Sequence, residues 1–415
     1  MRFLYNLTVF LYSVALHVAA LFNSKAKLWV DGRKNIFDRL KSKLQNRVQE
    51  NIVWFHCASL GEFEQGRPLI EKIKSQHPEY KILLTFFSPS GFEIRKNYAG
   101  ADYIFYLPID SPKNAKKFVD IVNPKLVFFV KYEFWFNYLN EVNRKNIPLY
   151  LVSGIFRKEQ HFFKWYGGWF KEQLHCFKAF FLQDQSSFEL LKSIGLENCH
   201  ITGDTRFDRV FEISQNTKPI PLIEQFKQSS TLVIVGSSWP LDEQLIADFL
   251  ENPAHHFLNS KLIIVPHEIG EDHIQSVIKR FSFYTCVRFS QAHAVDLVDA
   301  QVLIIDNIGM LSSIYKYGTA AYIGGGFGKG IHNILEAATF GLPVIFGPNY
   351  QKFSEANELI HLGGAFSVKD ERELAKIVHL LNNKDVLQTA THIAKQYVIS
   401  RIGATDKILS YIPLK

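Results

Sequence analysis

What most limits the fold of this chain is a recurring unit: a short apolar run ending in a turn, followed by a helical stretch, then the next run. The first series is "IVWFHCA" (52–58), "KILLTFF" (81–87), "YIFYLP" (103–108), "LVFFVK" (126–131), "PLYLVSG" (148–154), "AFFLQD" (179–184) and "HITG" (200–203). A helix such as "GRPLIEKIKSQ" (66–76) separates the first two. A polar, Pro-containing stretch, "SQNTKPIPLIEQ" (214–225), interrupts the series. It then restarts with "TLVIVGSS" (231–238), "KLIIVPH" (261–267), "VLIID" (302–306), "TAAYIGG" (319–325) and "LPVIFGP" (342–348). Runs without polar alternation fit parallel strands covered on both faces. Two such series predict an α/β chain of two doubly wound, Rossmann-like domains. The expected boundaries are 25–213 and 229–415, with a linker at 214–228 and a last helix free to pack back on the first domain. Ligands of such sheets bind at the carboxyl ends of the strands, so the expected site is a cleft between the two domains.

A length of 415 residues agrees with two cores, and a composition 47% hydrophobic and 21% charged is that of a globular chain. The four cysteines, Cys57, Cys176, Cys199 and Cys286, form no CxxC pair, which argues against a disulfide framework or a zinc site. The net charge of +7 is modest, and its distribution is more telling. "FLYNLTVFLYSVALHVAALF" (3–22) contains no Asp, Glu, Lys or Arg. A helix of that length reaches about 30 Å, the thickness of a bilayer's hydrocarbon. Its polar residues Asn6, Ser13 and His17 share one stripe. The next segment, "KAKLWVDGRKNIFDRLKSKLQNRV" (25–48), has eight Lys or Arg against two Asp. Residues 1–24 are therefore expected to form a membrane anchor, spanning or lying in the interface, with the basic flank on the cytoplasmic side against anionic headgroups. A cleaved signal peptide and a buried first helix are the other readings.

Four constellations carry candidate chemistry. "GGGFGKGIHNILEAATFGLPVIFGPN" (324–349) places glycines after a strand, where the backbone can approach a ligand closely. His332, Asn333 and Glu336 then open an expected helix, sharing a face at spacings of three and four. Its N-terminus suits phosphate, and Glu336 suits the hydroxyls of a ribose. There is no GxxxxGK[ST] and no GxGxxG. In "WFHCASLGEFEQGRPLI" (54–70), Glu62 stands at a helix start, where the macrodipole is expected to hold it ionised as a general base; an ordinary helix-terminal acid is the plain reading. Glu133 in "VKYEFWFNYL" (130–139) stands among aromatics, functional or in a structural ion pair. Arg206 in "GDTRFD" (203–208) faces an anion or pairs with Asp204 or Asp208.

Taken in order, "HCASLGE", "KYEFWFN", "GDTRFD", "VGSSWPLDE", "VPHE", "DNIGML" and the glycine-rich stretch resemble the 3-deoxy-D-manno-octulosonic acid (Kdo) transferases of lipopolysaccharide synthesis, glycosyltransferase family 30, over nearly the full length. The resemblance implies a GT-B glycosyltransferase at the cytoplasmic face of the inner membrane, with CMP-Kdo as donor and the lipid A precursor as acceptor. It makes Glu62 the base, and Glu133 and Arg206 stabilisers of the transition state, Arg206 where a Lys is more usual. It makes Ser237, Ser238, Pro266, His267, Ile308, Gly309, Met310, Gly325, Gly326, His332, Asn333, Ile334, Leu335 and Glu336 the donor-binding set. No Asp-x-Asp-type site occurs near these motifs, so no metal or other cofactor is expected, and no nucleic-acid partner. "FRKEQHFFKWYGGWFK" (156–171) is expected either to meet the lipid's phosphates and acyl chains or to be a core helix with exposed lysines.

The chain departs from the family pattern at His267-Glu268, where an Arg-His pair is usual, at Met310, where a Glu is usual, and at Trp239, where a His is usual. Two other readings remain. One is a different GT-B enzyme, a UDP-dependent lipid-linked glycosyltransferase or a sugar-nucleotide 2-epimerase. The other is a non-catalytic membrane scaffold that keeps a nucleotide fold.

Overall fold

A computed structural model describes residues 1–44, 50–252, 260–293 and 297–414. The last residues of the basic flank, 45–48, lie outside them. The chain divides into two compact units, residues 1–209 with 403–415, and residues 210–402.

The first unit holds seven parallel strands: β1 (Asn51–Cys57), β2 (Tyr80–Phe86), β3 (Tyr103–Tyr106), β4 (Leu126–Val130), β5 (Leu149–Gly154), β6 (Ala179–Leu182) and β7 (Cys199–Ile201), in the order β3-β2-β1-β4-β5-β6-β7. All five residues of β4 are buried, because helices cover both faces of the sheet. Alternate residues serve the two cores: Trp54, Val127 and Phe129 pack on one face, Phe55, Phe128 and Val130 on the other. The helix Ala404–Ser410 belongs to this unit, tied to it by Asp208, which accepts the N–H of Thr405 at 2.6 Å.

The second unit repeats the plan with β8 (Thr231–Ser238), β9 (Ser260–Pro266), β10 (Cys286–Arg288), β11 (Val302–Ile304), β12 (Ala320–Ile323), β13 (Val344–Phe346) and β14 (Ala365–Ser367), in the order β10-β11-β9-β8-β12-β13-β14. Both sheets are parallel throughout. Strand order reverses at β1/β4 in one and at β8/β12 in the other, and these switch points are where such sheets take ligands.

The stretch 214–228, read from the sequence as a linker, instead holds the end of helix Thr205–Gln215 and the helix Pro221–Lys227; the unit boundary falls inside the first of these, after Arg209. Pro221 sits at the first helical turn, where its missing N–H costs nothing, so a proline does not signal a linker here. Two strands escape the sequence reading, β10 and β14. Each is three residues long, half-exposed and at a sheet edge, so neither shows a buried apolar run.

Helix Arg2–Ala19 is the one helix among the described residues long and apolar enough to cross a membrane, judged by length and composition alone.

Candidate active site

In the first unit the site forms where β1 and β4 end side by side. After β1, Ser59 caps helix Leu60–Gln76 with Glu62 as its partner: the Ser59 N–H donates to Glu62 Oε2 at 3.0 Å, and the Glu62 N–H points to Ser59 Oγ at 3.5 Å. The Glu62 carboxyl is half-buried and is pushed up to about 7, first by burial and then by the negative charge of Glu133. This corrects the sequence expectation. Helix-terminal N–H groups and Lys131 do favour the ionised form, but desolvation and the neighbouring carboxylate outweigh them.

Glu133 follows β4 and is buried. It is not an isolated charge: His56 Nε2 lies 3.0 Å from its Oε2, and the Trp135 indole N–H donates to the same oxygen. His56, wholly buried on β1, also lies 2.9 Å from Thr85 Oγ1. Lys131, between β4 and Glu133, adopts φ +69°, and Ser153 on β5 φ +52°. Such backbone costs about 1–3 kcal/mol per residue and persists where packing over-determines it, often at functional sites.

Arg206 pairs with Asp204, as the plainer sequence reading allowed. Its Nε donates to Asp204 Oδ2 at 2.8 Å, and its backbone N–H to Oδ1 at 2.9 Å. Its positive charge still reaches Tyr132, as does the negative charge of Glu62, so one corner of the unit gathers both with Arg157. The structure thus brings Glu62 and Glu133 together at the ends of β1 and β4, while Arg206 follows β7 at the sheet edge and is linked to them through Tyr132.

In the second unit the loops after β8 and β12 lie against each other. A Cβ on Gly324 would stand 2.3 Å from Ser237 O, and one on Gly326 2.5 Å from Gly347 N. Both clashes are with backbone, which cannot yield, so these two glycines set how closely the loop after β12 packs on the end of β8 and on the loop after β13. Ser237 itself holds φ +52°. Asp242, wholly buried, joins the two loops: it accepts the N–H of Trp239 at 3.0 Å, the N–H of Gly325 at 2.9 Å and the Tyr322 hydroxyl at 2.9 Å. Glu243 beside it, also wholly buried, accepts from Ser238 Oγ at 3.0 Å and from Arg280 at 2.9 Å, and lies 3.0 Å from His273 Nε2.

His332 does not begin the helix that the sequence suggests. That helix runs only from Leu335 to Ala338, so His332 and Glu336 do not share a helical face. The N–H of His332 bonds to Gly324 O, and its ring stacks on His267 at 4.4 Å. Its Nε2 accepts the Trp239 indole N–H at 2.9 Å, and Trp239 stacks on His267 at 4.6 Å. Burial, then His267, pull the His332 imidazole down to about 4, so it stays a neutral acceptor at physiological pH. Asn333 does meet Glu336: its side-chain amide donates to Glu336 Oε1 at 3.1 Å. Ile334 and Leu335 are buried beneath, while Ile308 and Gly309 stand exposed on the loop after β11, with Met310 beside them. Pro266 ends β9 and brings His267 to Ser238 O at 2.9 Å.

His56, Lys131, Asp242 and Glu243 were not assigned from the sequence. The signal was present for the last two: adjacent acids in the first turn of a helix straight after a buried strand. Among the described residues no group of three His, Cys, Asp or Glu stands together in a way that would hold a metal ion.

The UDP-GlcNAc 2-epimerase of Neisseria meningitidis, solved with UDP-GlcNAc, superposes with a TM-score of 0.60 at 15% identity, over 86% of this chain and 98% of its own. At that identity the likeness speaks for the fold alone. Residues 34–209 match the family profile described as 3-Deoxy-D-manno-octulosonic-acid transferase (kdotransferase). The 3-deoxy-D-manno-octulosonic acid transferase of Aquifex aeolicus is 29% identical over 341 residues, 81% of this chain and 87% of that protein. That of Rickettsia felis is 24% identical over 380 residues, 90% and 81% respectively. Two parallel α/β units with acids and loops at their switch points, and this set of relatives, define a glycosyltransferase of GT-B fold. Within that class the chain is similar over most of its length to the Kdo transferases, enzymes that transfer Kdo in lipopolysaccharide synthesis.

Proposed function

We propose that the enzyme moves Kdo from CMP-Kdo to the lipid A precursor lipid IVA, with inversion at the anomeric carbon and without a metal. The observation that carries this reading is the Glu62 carboxyl lifted to about 7 beside Glu133, at the switch point of the first sheet. A base with that affinity for protons is matched to deprotonating an alcohol near neutral pH. Glu62 takes the proton of the acceptor hydroxyl as its oxygen attacks the anomeric carbon. The bond to CMP breaks, and CMP leaves with the electron pair. Lys131 lies near Glu62 and, with Arg206 linked through Tyr132, offsets negative charge during transfer. Glu133 is held by His56 and Trp135 and sets the field in which Glu62 ionises.

The second unit is the donor's. Glu336, oriented by Asn333, accepts ribose hydroxyls. The close-packed loops at Ser237–Ser238 and Gly325–Gly326 suit the phosphate, with the Gly325 N–H itself held by Asp242. The stack of Trp239, His267 and His332 offers aromatic faces to the base, and it explains how Trp239 serves where the family pattern has a His. The exposed loop Ile308–Met310 completes the donor set. The proposed acceptor, and the basic flank after residue 24, support a location at the cytoplasmic face of the inner membrane, against anionic phospholipid.

CMP is expected to raise the thermal transition of the enzyme, with UMP and NAD producing at most a small shift, since only a ligand preferring the folded state stabilises it. A shift with UMP that exceeds that with CMP would favour a UDP-sugar enzyme. The pH profile is a second check. A base must be ionised to act, so kcat/KM is expected to rise with pH through about 7 and to be lost as pH falls below it. Glu133→Gln removes the like charge, so its profile should shift to lower pH even though the maximal rate falls. An unmoved midpoint would separate Glu133 from the ionisation of Glu62.

A further inference from the structure

Helix Arg2–Ala19 has two unlike sides. Tyr5, Asn6, Val9, Ser13 and Leu16 are sheltered, a stripe spaced at three and four residues that runs nearly the whole length. This stripe is docked on the first unit. The Tyr5 hydroxyl donates to the buried Asp110 at 2.5 Å, and the Asn137 amide donates to Asn6 Oδ1 at 2.9 Å. Tyr5 meets Phe136 at 4.9 Å and Trp169 at 5.9 Å; further along, Tyr12 meets Trp29 at 6.4 Å and Phe87 at 6.3 Å. The opposite side is apolar and open, with Phe3, Leu7, Phe10, Val14, Val18 and Leu21 all exposed.

An 18-residue helix is about 27 Å long. Docked along that length on a unit with a buried carboxylate and a charged surface, it cannot cross a bilayer without drawing the unit into hydrocarbon. It can lie in the interface with its free side sunk into the headgroup and acyl boundary. We propose that this helix is an in-plane anchor and does not cross the membrane, and that the turn carrying Trp165 is a second lipid contact. Trp165 is 96% exposed, with Lys164 and Tyr166 exposed on either side, and it directly precedes the helix whose Trp169 touches Tyr5. A tryptophan left in water with a lysine beside it has the character of a bilayer-interface residue. Lys25, Lys27, Lys34, Arg39, Lys41 and Lys43 are exposed after the helix and match an anionic surface. Arg33 is not among them: it donates to the carbonyls of Leu107, Trp29 and Phe87, the last two of which carry the rings that meet Tyr12.

The docked helix also reaches the chemistry. Phe87, which Tyr12 touches, packs on Trp135 at 4.4 Å, and Trp135 donates to Glu133. The lipid surface is thereby tied to the end of the sheet that carries the candidate base. This inference deepens the proposed membrane location and rests on that reading, but its test needs no transfer activity.

Full-length protein carrying Arg2→Cys is bound to vesicles of phosphatidylethanolamine and phosphatidylglycerol, then treated with a membrane-impermeant maleimide, and the N-terminal peptide is read by mass. The expected result is full labelling without detergent, on protein that stays bound at high salt. Protection until detergent is added means a crossing helix and overturns the proposal; so does protein that high salt releases, or that never binds. With brominated lipid, tryptophan quenching is expected to fall in Trp165→Phe relative to wild type. Equal quenching would remove the second contact. If donor binding fails its own test while the labelling succeeds, only the reading of the reaction falls.

Discussion

Glu62→Gln is expected to fold and bind donor as the wild type does, while kcat for Kdo transfer drops by about 10²–10⁴-fold, the usual contribution of a positioned base. The design of this variant follows from the capping box. Glutamine serves in place of glutamate as the third residue of that motif, so the bond from the Ser59 N–H survives. The plain alternative, that Glu62 only caps a helix, therefore predicts almost no effect on rate. The two readings differ by orders of magnitude in one assay of CMP release. Undiminished release would remove Glu62 from the chemistry and leave it a capping residue.

Glu243→Ala is expected to destabilise the second unit by about 3–5 kcal/mol, the cost of taking one partner from a buried ion pair. Arg280 would lose its carboxylate, and Ser238 Oγ its acceptor. The check is the denaturant midpoint of that unit, followed alongside CMP affinity, because Ser238 lies on the loop proposed to hold the phosphate. Replacing Glu243 and Arg280 together with leucine should recover much of the lost stability but not the affinity, since the acceptor for Ser238 stays missing. A loss below about 1 kcal/mol in the single variant would mean that the pair is not held as tightly as its burial implies.

Much of the architecture could be read without coordinates. Runs such as "LVFFV" and "TLVIV" have no polar face, and only a sheet covered on both sides uses such strands. The glycines at 324–326 announced a close backbone approach, and the structure supplies the two backbones that meet there. Spacing misled where a loop intervened. His332 and Glu336 are four apart, but a spacing is a geometry only once the chain is helical, and here the helix begins three residues after His332.

The sequence by itself determined which segments become the buried strands, though not the short edge strands β10 and β14, that there are two sheets of one kind, and which residue types stand at their carboxyl ends. Those are local properties: hydrophobic pattern, turn chemistry and helix-start signals act over a few residues. Only the tertiary structure decided the state of the groups. Glu62 reads alone as an acid stabilised by a helix, yet Glu133, 71 positions later, stands close enough to raise its affinity for protons. Tyr5 reads as part of an unbroken apolar segment, yet Asp110 claims its hydroxyl and turns one side of that helix toward the protein. Charge interaction and desolvation depend on distance in space, and chain order does not contain that distance until the sheets have formed.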